Sequence, residues 1–432
     1  MRPPRWWSAH IHKFPVEAVS SCNYEAEVEP RAAGLEPADV DAMWRSVVAL
    51  YECGLHPAIS ICVRRRNQVV LDRAIGHLRG NSPTDDRQTP KIPIRHDSPF
   101  LFFSASKSMT AMAIHLLDER GAIRLDDAVV EYIPEFGRHG KERITIRHLL
   151  THRAGIPTAL GGRIDEELVA NPARILDLIC DAKPMTAAGR QLAYHAVTGG
   201  YVMGEIVHRV TGRDLRQFFG DEILRPIGIR GLNYGVSCDG VDQVPENAVT
   251  GTPSLPPQSW LIERALGVGF KEAVRLSNTK EFLTAIIPSG NIVGTADEGS
   301  RFFQLLLNEG ELDGVRVFDK RTVRRAVAEQ SFLEIDAFIG LPIRYGMGFM
   351  LGGEWASLYG AHSPRAFGHM GFTNVLVYAD PDRELSVCLL TSGKPFITLG
   401  QITWFKVARA IARHCKPLSD ERQHRFRCYQ KL

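Results

Sequence analysis

Apolar residues recur at helical spacing from Pro37 to about Cys53, and Gly54 stands where a left-handed cap ends such a helix. Two alternating runs follow, Ala58 to Val63 and Val69 to Ile75, which predict an antiparallel hairpin turning at Arg64, Arg65, Arg66 and Asn67. From about Ser104 to Val323 the pattern is helical, broken by glycine and proline, without sustained alternation. Strand patterns return at Tyr345 to Leu351, Ala366 to Met370, Asn374 to Ala379 and Leu385 to Thr391, the last two joined by the turn Asp380, Pro381, Asp382. A closing helix, Ile402 to His414, places Trp404, Phe405, Ala408, Ile411 and Ala412 on one face. The expected fold class is α/β in the α+β sense: an antiparallel sheet built from both chain ends, flanked by helices and interrupted by a mainly helical lobe. Residues 1–35 are expected to form an irregular arm and 36–432 one domain, with a sheet lobe at about 36–100 and 330–415 and a helical lobe at about 101–329.

Composition narrows the function classes. The chain has 432 residues, 44% hydrophobic and 23% charged, as expected of a globular protein with a large core. A net charge of +3 from 52 basic and 49 scattered acidic residues implies neither a nucleic-acid nor a membrane partner. The arginine run at 64–66 is expected to be a solvated turn between strands rather than a phosphate site. Eight cysteines show no CxxC pair and no zinc-ligand spacing, so free thiols are expected. The first residues, MRPPRWWSAHIHKFPVEAV, lack an apolar stretch of signal-peptide length, and no segment is long enough to span a bilayer, so a cytoplasmic location is expected.

The chemistry concentrates at FFSASKSMT, residues 102–110, where Ser104 precedes Lys107 by three positions at the start of an apolar helix. That spacing puts both side chains on one face. A serine hydroxyl needs a base within reach, and a lysine serves only if its amine is neutral, a form favoured by burial and by the positive end of a helix dipole. SxxK alone is weak evidence, since Ser277 and Lys280 form a second copy without partner motifs. The bland alternative for Ser104 is a helix N-cap with Lys107 in solvent.

Three further segments accompany the first: IRHLLTHRAGIP at 146–157, YHAVTGGYVMG at 194–204 and FGHMGF at 367–372. With FSASKSMT at 103–110, in this order and separation, the chain resembles the serine β-lactamase and penicillin-binding superfamily from about residue 35 to 415, and especially its esterase branch, the family VIII carboxylesterases. The resemblance implies a β-lactamase/transpeptidase-like fold, Ser104 as acyl-forming nucleophile, Lys107 as its proton partner and Tyr194 as the general acid/base. A tyrosine beside cationic amines is expected to ionise more easily than free phenol. The third motif implies a sheet edge facing Ser104, where Gly371 lets a substrate carbonyl approach and the Phe372 and Ser104 N–H groups form the oxyanion hole. His369 either orients a substrate oxygen or Tyr194, or is structural.

Two departures bear on substrate. Ala196 stands two residues after Tyr194, where β-lactamases often carry an amide donor, and His369 stands where most penicillin-binding enzymes have lysine. Both favour neutral esters over β-lactams or peptide carboxylates. The expected activity is that of a serine carboxylesterase on small to medium esters, without metal or cofactor. The alternatives are a β-lactamase, D-amino peptidase or acyltransferase of the same fold, and a non-catalytic binding protein. No GxSxG elbow supports an α/β-hydrolase, and His148 and His152, four apart, lack the HExxH context of a zinc site. The stretches Trp260 to Phe270 and Leu351 to His362 are expected to line the pocket. Oligomeric state is not legible.

Overall fold

A computed structural model describes residues 9–158, 164–253, 263, 266–331, 334–396 and 400–418. Helix α1, Pro37–Glu52, begins with proline in its first turn and a reciprocal Glu36–Asp39 capping box. Its buried residues Val40, Met43, Val47 and Leu50 follow the 3–4 spacing of one helix face, and Gly54 takes φ +77° just beyond its end. Strands β2, Ala58–Arg65, and β3, Gln68–Arg79, form the expected hairpin, turning at Arg66 and Asn67, both with positive φ. Ser20–Cys22, inside the stretch expected to be an irregular arm, forms β1 and pairs with β3. From the other chain end come β4, Met350–Leu351, β5, Phe367–Gly371, β6, Val375–Asp380, and β7, Leu385–Thr391. The sheet runs β1-β3-β2-β7-β6-β5-β4, antiparallel throughout, so the two chain ends meet where β2 pairs with β7. Of the run expected at Tyr345 to Leu351, only the last two residues form a strand, with Tyr345 in an isolated bridge to Met350.

Both sheet faces are covered. On the outer face, Ile59, Ile61, Val63, Leu376, Val387 and Leu389 pack with α1 and with α8, Gly400–His414. On the inner face, Cys62, Val377, Cys388 and Leu390 pack with Phe302 and Phe303 of α7, Ala296–Leu307, and the core continues into the helical region. A sheet covered on both sides buries every residue of β2, β6 and β7, which explains why β6 and β7 are mostly apolar on both faces.

Two details of the sequence reading need correction. Arg64 and Arg65 are not a solvated turn: Arg64 is buried, paired with Asp297 and bonded to Ser300 on α7, and Arg65 donates to the Lys416 carbonyl. A strand packed on both faces buries these stems, and only Arg66 reaches the turn. Phe405 is 39% exposed, because the buried face of α8 follows Trp404, Val407, Ala408 and Ile411.

The inner region is organised by α2, Ser106–Glu119, whose residues are buried from Ser106 to Leu117. Around it stand α3, Ile146–Leu150, α4, Pro172–Asp181, α5, Thr198–Thr211, and α6, Phe270–Leu276, with α5 packed directly on α2. Short strands at Phe100–Leu101, Asn233–Tyr234 and Ile292–Gly294 form a separate small sheet leading into the Ser104 turn.

Candidate active site

Between Phe100 and Leu117, Ser104 is the one residue that is not buried. It sits in a 3₁₀ turn, Phe103–Ala105, that runs directly into α2, and Phe103 before it has φ +48°. A phenylalanine in that region carries strain that only surrounding packing sustains. Here the Phe103 ring lies 4.4 Å from the Lys394 amine and 5.6 Å from the Phe372 ring. Lys394 is buried and donates to the Thr391 carbonyl.

Lys107, in the first turn of α2, brings its Nζ 3.0 Å from Ser104 Oγ and 2.9 Å from the Ser289 carbonyl oxygen. Burial without a carboxylate partner lowers the lysine pKa from 10.5 to about 7. The amine is thus neutral in a large fraction of molecules near pH 7 and above, while still held by two hydrogen-bonding oxygens. Ser289 reaches this position because α5 carries Gly200 there: a Cβ on Gly200 would lie 2.1 Å from Ser289 Oγ.

Tyr194 arrives from the loop before α5. Its ring centroid lies 5.1 Å from Lys107 Nζ, and Ser104 is near enough to its hydroxyl to favour ionisation. Burial raises the tyrosine pKa well above its usual value, outweighing the lowering effect of Ser104, and Asp336 adds to the rise. The expectation of an easily ionised phenol is therefore overturned: loss of water around the buried hydroxyl is the largest effect on it, and Asp336 adds to that effect. Buried Asp336 accepts from the N–H groups of Tyr194, Phe338 and Ile339 and from the Tyr345 hydroxyl, anchoring this loop. His152 packs 4.7 Å from the Tyr194 ring and accepts the His195 N–H at its Nδ1. Nothing in the local sequence marks Asp336 or Ser289, whose roles depend on residues about 140 and 180 positions away.

His369 lies on β5, its ring 6.3 Å from that of Tyr194. Burial and the nearby lysine lower its pKa to about 3, and its Nδ1 faces the Met370 carbonyl at 2.7 Å, so the ring is neutral with Nδ1–H donating and Nε2 free to accept. It therefore supplies no cation at neutral pH. Gly371 also has a packing role: a Cβ there would stand 2.4 Å from the Phe102 carbonyl oxygen and 2.8 Å from Val375 Cβ. The missing side chain lets the end of β5 close onto the turn that carries Ser104. Phe372 follows at once, and its N–H has no carbonyl partner among the described residues. Gly371→Ala is expected to push β5 away from the turn and lower kcat/KM by about a hundredfold, since ångström-scale misplacement costs that much; steady-state kinetics on the purified variant, with its Tm, checks this.

Beside Ser104 lies a cavity of about 130 Å³ lined almost wholly by apolar side chains, among them Ile164, Ile175, Val197, Tyr201, Leu266 and Phe372. Ala196 lines it too, where an amide would have made it polar. No lysine or arginine is among its described lining residues. Of the two stretches expected to line it, Leu266 and Val268 do so, Phe270 backs Phe372 at 5.2 Å, and Trp260 lies outside the described residues. The stretch Leu351 to His362 does not: Tyr359 is buried against Tyr378 in the outer layer, and Trp355 is in solvent.

The second SxxK is structural. Ser277 is buried, donates to the Val274 carbonyl and accepts from Asn247, while Lys280 is exposed. Ser277→Ala is expected to keep kcat/KM within about twofold and to cost about 1 kcal/mol of stability, which ester kinetics and thermal melting read together. His148 accepts the Thr145 N–H at the start of α3, and among the described residues no cluster of His, Cys, Asp or Glu side chains is placed to hold a metal. Among the described residues, no helix is long and apolar enough to cross a membrane.

The family model described as Beta-lactamase matches residues 47–411, most of the chain. The chain belongs to that family. Among curated relatives, the esterase/beta-lactamase LipL of Mycobacterium tuberculosis is 28% identical over 350 residues, covering 76% of this chain and 79% of its own. Esterase EstB of Burkholderia gladioli is 28% identical over 303 residues, covering 65% of this chain and 74% of its own. A solved family VIII carboxylesterase superposes with a TM-score of 0.73 at 24% identity, over 89% of this chain and 99% of that one, a likeness of fold. The beta-lactamase family fold thus agrees with the architecture expected from the hydrophobic pattern, and the family is one of serine hydrolases with esterase members.

Proposed function

We propose that the protein hydrolyses neutral carboxylic esters through an acyl-enzyme on Ser104. One observation carries the reading: a lysine amine with its pKa lowered to about 7 stands 3.0 Å from an accessible serine hydroxyl, at the mouth of an apolar chamber without a cation among its described lining residues. Neutral Lys107 takes the Ser104 proton as Oγ attacks the ester carbonyl. The N–H groups of Ser104 and Phe372 receive the negative oxygen of the tetrahedral intermediate. Tyr194, protonated because it is buried, gives its hydroxyl proton to the departing alkoxide and recovers one from the Lys107 ammonium. Water then attacks the acyl-enzyme, losing its proton through the same pair, and Ser104 leaves reprotonated.

The neutral surroundings support an ester over a β-lactam or a D-amino acid peptide, whose carboxylate needs a cation. His369 supplies none, and no cation lines the chamber among the described residues. The double name of LipL makes a β-lactam arm part of the test. Purified protein is offered p-nitrophenyl esters and a chromogenic cephalosporin. Ester kcat/KM exceeding that for the cephalosporin by a hundredfold or more is expected; the reverse order would overturn the ester reading.

A further inference from the structure

A second cavity, of about 540 Å³, lies beyond the chamber at Ser104, between α4 and α5. Its walls combine apolar Pro172, Leu176, Leu215 and Pro288 with a charged outer rim that includes Asp177 and Arg209. Tyr201 is the one described residue that lines both spaces. On either side of it the partition is made by α4, with Ile175 facing the first cavity and Leu176 the second, and by the segment where Ile287 and Ser289 face the first and Ile286 and Pro288 the second.

The backbone of this partition is held firmly. Gly200 and Gly204 of α5 let the Pro288–Ser289 segment lie so close that a Cβ on either would come within 2.1 or 3.0 Å of it. Thr110 donates to the Pro288 carbonyl and Lys107 to that of Ser289. The removable part of the wall is therefore the buried Tyr201 ring.

From this geometry we infer that Tyr201 is a specificity-determining residue that sets the longest acyl chain the enzyme accepts. The inference rests on the ester reading above. The acyl group occupies the chamber because it stays bonded to Ser104 through both half-reactions, while the alcohol must depart between them. A cavity of about 150 Å³ lined by aliphatic and aromatic side chains holds one benzene. A chamber of about 130 Å³ thus takes some five or six carbons beyond the carbonyl, and longer chains meet the Tyr201 ring.

The test compares wild type, Tyr201→Ala and Tyr201→Leu on p-nitrophenyl acetate through dodecanoate, read as the ratio of kcat/KM for dodecanoate to that for butyrate. This ratio does not depend on the fraction of folded enzyme, so partial misfolding does not imitate the effect. Wild type is expected to peak at butyrate to hexanoate and to fall beyond octanoate. Tyr201→Ala should raise the ratio tenfold or more, with Tyr201→Leu between the two. Ratios within twofold of wild type in both variants, with wild type active on esters, would overturn the inference and leave the ester reading standing. A shift seen only with alkyl acetates of increasing alcohol length would overturn the acyl placement. Wild type inert on every ester would instead defeat the ester reading itself.

Discussion

Ser104→Ala is expected to lower kcat/KM for p-nitrophenyl butyrate by about 10⁴- to 10⁶-fold, the scale seen when a nucleophile is removed from a preassembled acyl-transfer site. The alanine lacks the oxygen that Lys107 contacts at 3.0 Å and that Tyr194 also meets, so no covalent intermediate can form at this position. The variant should fold normally, because the hydroxyl is partly exposed and its loss leaves no cavity in the core. Two readouts test the assignment together. Wild type treated with an alkyl fluorophosphonate should gain one adduct by intact-mass spectrometry, mapped to Ser104, and the variant should gain none. Adduct formation at Ser277, or ester turnover within tenfold of wild type in Ser104→Ala, would remove Ser104 from the mechanism.

Lys107→Met is expected to cost about 10³-fold in kcat/KM, the middle of the range for a general base, while making the protein more stable. The two effects have one cause. The folded protein holds this amine at a pKa of about 7 against 10.5 for an ordinary lysine, because burial disfavours the charge. Between these values the unfolded chain binds a proton that the folded one does not, so the stability of wild type rises with pH across that window. Below about pH 7 the amine is protonated in both states, and the buried charge then costs its full amount, about 5 kcal/mol in order of magnitude. Methionine has similar length and carries no charge, so the gain in Tm should be largest at pH 6 and shrink toward pH 10. Activity follows the same proton in the same sense as wild-type stability: wild-type kcat/KM should climb as pH rises through about 7, as the amine becomes able to accept the Ser104 proton. A flat profile from pH 5.5 to 8.5, or a Lys107→Met variant less stable at pH 6 than at pH 9 relative to wild type, would mean that the amine is not held neutral.

The stabilising half of that prediction also bears on how the site is maintained. Phe103 at positive φ, a buried lysine and a tyrosine kept protonated by burial are each unfavourable locally, and each is enforced by groups distant in sequence. The small sheet before Ser104, the Ser289 carbonyl, the Asp336 carboxylate and the close approach of Gly371 to Phe102 supply that enforcement. Preorganisation of this kind trades stability for reactivity.

Much of this protein was determined locally and is therefore legible in its sequence. The Pro37–Glu52 helix, the hairpin around Asn67 and β7 at Leu385–Thr391 follow from periodicity, caps and turn chemistry, which act over a few residues. The three-residue step from Ser104 to Lys107 likewise brought the two side chains together without help from elsewhere, since a helical turn alone sets that distance. What remained was decided by the tertiary structure, because burial and electrostatics depend on what the rest of the chain places nearby. The arginine run seemed fit for a turn until α7 covered Arg64 with Asp297, and Tyr194 seemed ready to ionise until its surroundings excluded water. Gly371 lies tight against a carbonyl 269 positions earlier in the chain, and Tyr201 divides two cavities whose walls come from several separate segments. No short-range pattern encodes such contacts, for they exist only once long-range packing has closed the fold.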